Sequence, residues 1–162
     1  MAQILQAALI LLITGFFCYS ITKLLDHIAE ENRSIQPKLV WLLLIPGLNL
    51  IWNFVVVTRL STSIKNEMVA RDFDITGKPT FVQGLLYAII SLIGVIPALV
   101  IGLSAKTPEE MIQATKVIPE NIILAIEIIG IIQIILFITY WSKISWYKNI
   151  LENDEKNPNE DN

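Results

Sequence analysis

Four polar side chains interrupt otherwise apolar stretches and are the residues best placed to do chemistry: Asn49, Asn53, Glu127 and Gln133. Asn49 and Asn53 are four residues apart, so on a helix they share one face. Such a face could line a pathway or a small-ligand site beside Pro46, where a backbone carbonyl loses its usual N–H donor. The two amides could equally join packed helices, with each hydrogen bond worth about 0.6 kcal/mol. Both interpretations stay open from the sequence.

Glu127 is the single ionisable side chain inside an apolar run. Burying a carboxylate within a membrane costs free energy, so such a residue is by default a candidate for a functional role. Alternatively, Glu127 is a carboxylate near the membrane interface, because it follows Pro119 by only about 12 Å of helix and the helix dipole favours its anion there. Gln133 lies further along the run and points about 120° away from Glu127. We treat these two with the asparagines as one candidate polar intramembrane site.

The residue sets that catalysis and metal binding need are missing from the sequence. His27 is the only histidine and Cys18 the only cysteine, which excludes a histidine metal cluster and an internal disulfide framework. No Gly-rich phosphate loop, His-Glu-x-x-His or Gly-x-Ser-x-Gly motif occurs. The net charge of −3 gives no indication of a nucleic-acid partner. We therefore predict that the protein is not an enzyme and has no cofactor.

The elements that must position these side chains are long apolar runs. Hydrophobic residues make up 54% of the chain and charged residues 17%, against about 45–50% and 25% in soluble domains. The run between Lys38 and Arg59 is uncharged for 20 residues, which as a helix matches the roughly 30 Å hydrocarbon core of a bilayer. The sequence predicts an all-α polytopic membrane protein: one domain (residues 1–151) forming a bundle of four transmembrane helices at about 3–22, 39–58, 81–104 and 121–142.

Proline and glycine residues modify these spans. Pro46 and Gly47 in the second span and Pro97 in the third are expected to kink their helices. Small residues of the third span fall within about 80° of one another on a helix. Such a face lets backbones approach closely and favours helix packing in lipid; its members are Gly84, Ala88, Ser91, Ala98 and Gly102.

Three segments are expected outside the bilayer. Leu60, Ile64 and Met68 recur every four residues, which predicts an amphipathic extension of the second span to about Arg71. Residues 107–110 (Thr-Pro-Glu-Glu) form a capping-box signature, which predicts a short interfacial helix before the fourth span. Residues 152–162 hold no apolar side chain, so we expect a disordered acidic tail.

Four spans would place both ends of the chain on the same side of the membrane. That side would carry seven lysine and arginine residues and the other side five. Because cytoplasmic loops carry an excess of positive residues, this count favours cytoplasmic termini.

The second span and its surroundings carry a recognisable pattern. Pro37, Trp41, the Ile-Pro-x-x-Asn sequence at residues 45–49, Trp52 and the basic amphipathic stretch 57–71 occur in this order. This pattern resembles small, uncharacterised bacterial families of four-helix integral membrane proteins. The resemblance implies a location in the bacterial cytoplasmic (inner) membrane and implies no activity.

Two functions are expected from these observations. The first is a non-enzymatic membrane component that packs with itself, as a homo-oligomer, or with a membrane protein partner, as the small-residue face suggests. The alternative is a small transporter or channel subunit with a polar site around the second and fourth spans. In both cases the lipid bilayer is the principal partner.

Overall fold

The computed structural model describes residues 1–105, 107, 109, 110, 113 and 116–156, and over these residues the chain is helical without a β-strand. The α-helices of the described residues are α1 (Ala2–Asp26), α2 (Pro37–Val40), α3 (Leu48–Ala70), α4 (Phe81–Ser104) and α5 (Glu120–Lys156). Among these residues, three helices are by length and composition long and apolar enough to cross a membrane: α1 from Ile4, α4 and α5.

The second apolar run does not form one straight helix. Pro37 begins α2, the chain tightens into a 3₁₀ turn at Trp41–Leu44, and Ile45 is extended (φ −82°, ψ 113°). Pro46 accounts for that extended residue, because proline disfavours the α region for the residue before it. Gly47 then adopts φ +82° and starts α3, a conformation that glycine reaches without steric cost. The interruption lies at Pro46 and Gly47, where the sequence predicted a kink, and the chain reverses direction there.

The two arms of this reversal run antiparallel, so we call residues 37–58 the hairpin. Ser34 N–H donates to Ser63 Oγ (2.8 Å), and Trp52 Nε1–H donates to the Leu39 carbonyl (2.8 Å). The paired positions thus converge along the chain towards Gly47. The predicted single span over residues 39–58 is therefore replaced by a segment that returns to the end from which it came.

Helices α1 and α5 run parallel. Phe17 packs on Phe137 with ring centroids 5.1 Å apart, and Trp141 Nε1–H donates to Ser20 Oγ (3.0 Å). Further on, His27 Nδ1 lies 2.8 Å from a Glu155 carboxylate oxygen. The start of α1 and the end of α5 therefore lie at opposite ends of the bundle. A bundle of four antiparallel helices would instead bring both ends of the chain to the same end.

Helix α4 runs antiparallel to α3 and α5 and packs closely on both. A Cβ on Gly84 would lie 2.8 Å from the Tyr140 ring and 2.8 Å from Val57 Cγ1. Ala88 is buried as well, whereas a Cβ on Gly102 would meet nothing within 4 Å. The side chain of Ala98 lies outside what the structure describes. The N-terminal half of the small-residue face is thus used inside the chain, and Gly102 makes no such contact.

Burial is concentrated at one end of the bundle. The core there combines residues of α1, of the segment that follows it, of α3 and of α5, among them Leu24, Ile28, Leu60, Ile64 and Leu151. We call residues 23–36, 59–80 and 143–156 the head; they hold nine of the twelve lysine and arginine residues. At the other end large apolar side chains are exposed, such as Ile4 (77%), Ile51 (71%) and Leu103 (86%).

Helix α5 continues further than expected. Residues 152–156, assigned from composition to a disordered tail, are its last turn. Glu152 Oε1 lies 2.7 Å from Lys156 Nζ, and Lys148 approaches Glu152 from the preceding turn. These i,i+4 pairs and the contacts of the head support the helix. Residues 157–162 lie outside the described residues.

The predicted interfacial helix also lies largely outside the described residues. Its first step is visible, since the N–H of Glu110 donates to Thr107 Oγ1 (3.2 Å), as a capping residue requires.

Replacing Gly84 with leucine is expected to destabilise the bundle by about 3 kcal/mol, because the added carbons must displace the Tyr140 ring and Val57. For a chain of this size, that corresponds to a fall in the unfolding temperature of roughly 10 °C. Thermal unfolding of purified protein in detergent measures the change. Gly102→Leu is the matched control on the same helix and should leave the temperature within about 2 °C of wild type, because the site is open. Equal shifts for both variants would contradict the close packing of α4.

Candidate functional site

A cavity of about 210 Å³ lies in the apolar half of the bundle, where α1, the hairpin, α4 and α5 meet. Its wall is apolar for the most part and includes Phe17, Leu43 and Phe137. Six polar side chains also line it: Thr14, Asn49, Asn53, Tyr87, Ser91 and Gln133. We call this the polar cavity.

The local fold explains why these side chains converge. Helix α3 begins directly after Gly47, so Asn49 and Asn53 lie on its first two turns and share one face. Ser91 and Gln133 face them from α4 and α5, and Gln133 Nε2–H donates to Ser91 Oγ (3.2 Å). The antiparallel packing of α4 and α5 fixes this pair. The cavity is therefore formed at the tip of the hairpin.

Asn53 carries the strongest indication of a ligand. Its side chain is only 8% exposed, and its Oδ1 accepts no hydrogen bond from the described part of the chain. A buried acceptor without a donor costs about 1–3 kcal/mol, so most buried polar atoms are paired. Because Asn53 also lines the polar cavity, its unpaired acceptor is the group of the wall that a donor from a bound molecule or from water would complete.

The cavity brings together three of the four residues of the candidate polar site. Asn49, Asn53 and Gln133 line it, whereas Glu127 is exposed and does not. Along the ranges that the structure describes, no charged side chain contributes to the wall. The site can therefore form hydrogen bonds with a ligand but offers no counter-charge to an ion.

Two further members were not proposed as site residues from the sequence, and Ser91 was proposed only for packing. Tyr87 hydrogen-bonds to Ser91 one turn further along α4, and this i,i+4 spacing in an apolar helix is a signal that the sequence offered. Thr14 Oγ1–H donates to the carbonyl of Ile10 (2.8 Å). A threonine bonded in this way is common in apolar helices, so its position at the cavity depends on tertiary packing.

A second polar cluster lies in the head and is centred on Arg71, which was expected only as the end of an amphipathic extension. Its Nε–H donates to Glu67 Oε1 (2.8 Å), and one terminal nitrogen donates to the Leu151 carbonyl (3.0 Å) and Asp154 Oδ2 (2.9 Å). The other terminal nitrogen donates to the His27 carbonyl (2.7 Å) and Glu155 Oε1 (3.0 Å). All five N–H donors of the guanidinium are thus used, and they join α1, α3 and α5.

Glu67 is the buried partner in this cluster, with 4% exposure. Burial by itself would raise its pKa, but hydrogen bonds from the Asn32 amide, the Ala29 N–H and Arg71, together with the charge of Arg71, hold the pKa below its ordinary value. Burial likewise opposes the charge of Arg71, and its three carboxylate partners raise its pKa. The cluster is therefore a paired and satisfied ionic network that fixes the head.

All N–H donors of Arg71 are occupied, so we interpret this cluster as structural. In the polar cavity, by contrast, Asn53 Oδ1 has no donor among the described residues. In the part of the chain that the structure covers, no group of three His, Cys, Asp or Glu side chains could hold a metal ion. No family model, curated protein or solved structure matches this chain. The assignment of a function therefore depends on the geometry of the polar cavity.

Proposed function

We propose that this chain is an integral membrane protein with three transmembrane helices, α1, α4 and α5, and a re-entrant hairpin. The support is the length and composition of the three helices and the large apolar side chains exposed along them, which water would not tolerate in such number. From Leu48 to Thr58 the hairpin measures about 16 Å, roughly half the hydrocarbon core. Irregular backbone at that depth is tolerated where it is packed against protein or lines a cavity.

The distribution of charge orients this arrangement. The head carries nine lysine and arginine residues and Lys38 lies beside it, while the connection between α4 and α5 carries Lys106 and Lys116. With three spans, the head lies on one side and this connection on the other. The positive-inside rule then places the head in the cytoplasm. The excess of lysine and arginine residues on that side is larger than the seven against five counted for four spans. The bacterial cytoplasmic membrane, which the sequence pattern implied, is the proposed location.

The function that the geometry supports best is binding of a small uncharged solute in the polar cavity, as in a small transporter or channel subunit. The unpaired Oδ1 of buried Asn53 carries this proposal. Amides and hydroxyls without a charged group suit a neutral molecule that can both donate and accept hydrogen bonds. The volume of about 210 Å³ is below the roughly 300–1,000 Å³ of pockets for drug-sized ligands. A solute of a few heavy atoms, of the kind of urea or glycerol, fits these limits.

The competing function, a membrane component that packs with itself or a partner, loses its main motivation. Gly84 and Ala88 contact other parts of the same chain, so this face does not require a second molecule. A homo-oligomer or a membrane protein partner stays a prediction.

The proposal predicts that protein in liposomes accelerates entry of urea and glycerol, and that Asn49→Leu combined with Asn53→Leu abolishes the acceleration. The double change removes the amide groups of the hairpin while keeping similar volume, so the protein should still insert. Stopped-flow light scattering on proteoliposomes measures the rates. A gain of at least about tenfold over protein-free vesicles is expected, which corresponds to a barrier lower by roughly 1.4 kcal/mol.

The control is Asn149→Leu, the same substitution at an exposed position of the head. It should leave both rates at the wild-type value. The unfolding temperature of wild type compared with that of the double variant at the same concentration of each solute provides an independent readout of binding, because general effects of urea and glycerol on stability act on both proteins. Rates equal to those of protein-free vesicles, with no stabilisation by either solute, would overturn the proposal.

A further inference from the structure

A second pocket lies at the boundary between the head and the apolar half, between residues 33–39 and the middle of α3. Its volume is about 440 Å³, and its wall combines polar and apolar side chains. The residues that matter below are Arg33, Ser34, Gln36, Leu39, Trp52 and Arg59. We call it the arginine pocket. It shares no lining residue with the polar cavity.

Two guanidinium groups give this pocket a positive charge. Arg33 is held in place, because its Nε–H donates to the Ile28 carbonyl (2.7 Å) and a terminal nitrogen lies 3.4 Å from the Asp26 carbonyl. Both acceptors are uncharged, so the positive charge of Arg33 is not neutralised by these bonds. Arg59 is exposed on α3, and no carboxylate lines the pocket among the residues that are described. The pocket therefore attracts an anion.

An adjoining depression extends the polar side of the pocket. It shares Arg33 and Gln36 with it and adds Lys38 and Glu30. Three cations thus lie around one acid, and the balance at this corner of the head stays positive.

The opposite wall is apolar and fixed. Trp52 donates its indole N–H to the Leu39 carbonyl (2.8 Å), so its ring has one orientation. Leu39 and Val55 complete this wall. Tryptophan is enriched at the depth of the headgroups, where its amphipathic ring is stable. Arg59 and Lys38 bound the uncharged stretch of the hairpin, which puts the pocket at the same depth in the proposed membrane arrangement.

From this combination we infer that the arginine pocket binds the headgroup of an anionic phospholipid from the cytoplasmic leaflet. The phosphate accepts charge-assisted hydrogen bonds from the arginines, and the acyl chains lie against Leu39, Trp52 and Val55. Basic pockets on the cytoplasmic side of transmembrane helices are suited to anionic headgroups. The inference depends on the membrane placement proposed above and not on the solute proposed for the polar cavity.

The test is lipid retention by the full chain purified in mild detergent. Native mass spectrometry of protein incubated with equimolar phosphatidylglycerol and phosphatidylcholine counts the bound molecules of each. Wild type is expected to retain phosphatidylglycerol preferentially. Arg59→Gln should lower its retention about tenfold, the effect of losing one charge-assisted hydrogen bond. Because Arg59 is exposed, this variant should unfold at the wild-type temperature.

Lys65→Gln is the matched control, since it removes one positive charge from the same helix outside the pocket. It should retain phosphatidylglycerol as wild type does. Equal retention of the two lipids by wild type, or unchanged retention by Arg59→Gln, would overturn the inference. Displacement of phosphatidylglycerol by millimolar inorganic phosphate would also overturn it, because the ligand would then be free phosphate. Solute entry through the polar cavity is measured separately, so the two proposals can fail independently.

Discussion

Replacing Arg71 with alanine is expected to lower the unfolding temperature by about 10–15 °C, the largest effect of any substitution in the head. The change removes five donated hydrogen bonds and leaves the carboxylate of Glu67 buried without its cation. Removing one partner of a buried ion pair costs about 3–5 kcal/mol, and each kcal/mol corresponds to roughly 2–4 °C in a chain of this size. Thermal unfolding in detergent measures the loss.

Two further variants separate the ionic network from simple loss of charge. Arg71→Lys should restore only a minor part of the stability, because an ammonium group cannot bond three helices in the planar geometry of the guanidinium. Lys65→Ala, a change of charge on the same helix, should shift the temperature by less than about 2 °C. A loss for Arg71→Ala no greater than that of Lys65→Ala would contradict the role of the network.

The network also makes the stability of the head depend on pH, and the direction of this dependence follows from the pKa of Glu67. Its pKa is lower in the folded chain than its ordinary value, so its contribution is fully present above the unfolded pKa of about 4.3. The contribution decreases as the pH falls from there through the folded pKa. The stability difference between wild type and Glu67→Gln should therefore be constant from pH 7 to about pH 5 and shrink at lower pH.

Reporter fusions at the start of α1 and after Lys156 are expected to lie on opposite faces of the membrane. The reason is the parallel packing of α1 and α5, fixed by the contacts from Phe17 to His27, combined with a hairpin that does not cross. A reporter active only in the cytoplasm should signal after Lys156, and one active only outside it should signal before α1. Each reporter should therefore give a signal at one end of the chain and none at the other.

Two internal fusion sites act as controls for this topology. A reporter in the turn after Ala70 should match the fusion after Lys156, because both belong to the head. A reporter between α4 and α5 should match the fusion at the start of α1. Signals from the same face at both ends of the chain would refute the three-span arrangement and restore the four-span prediction.

Hydropathy and helix signals were sufficient for most of the elements. The uncharged run ending at Ala105 predicted α4 almost to the residue, and the four-residue spacing of Leu60, Ile64 and Met68 predicted the continuation of α3 to Ala70. Both signals are local, since they depend on the charge and spacing of neighbouring residues. The expected kink at Pro97 stays a prediction, as the proline lies within a continuous α4.

The path of the hairpin could not be derived in the same way. A run of 20 uncharged residues has the same composition whether it crosses a bilayer or turns back within it. The difference lies in contacts with distant residues, such as the Cys18 thiol that donates to the Val40 carbonyl (3.6 Å). In the proposed three-span arrangement, the segments after the hairpin keep the sides expected from four spans. Only the start of the chain and residues 23–36 change sides.

The candidate site was likewise predictable where it depends on local spacing and not where it depends on distant contacts. The i,i+4 spacing placed Asn49 and Asn53 together, and both line the polar cavity with Gln133. Glu127 was included because it is ionisable, but the rotation of α5 that directs Gln133 inward leaves Glu127 exposed. The partners of Arg71 on α5 are 80 or more residues away, and nothing local in the sequence indicates such a pairing.

The reversal at Gly47 bears on how the chain is assembled. In the proposed membrane arrangement, the interrupted backbone beside Pro46 lies within the hydrocarbon, where its polar groups need neighbours. The arm that contains Val40 rests on α1, which is synthesised first, whereas Asn49 and Asn53 face α4 and α5 across the polar cavity, and these helices are synthesised later. The polar face of the hairpin therefore gains all its neighbours only after the last two helices have been synthesised.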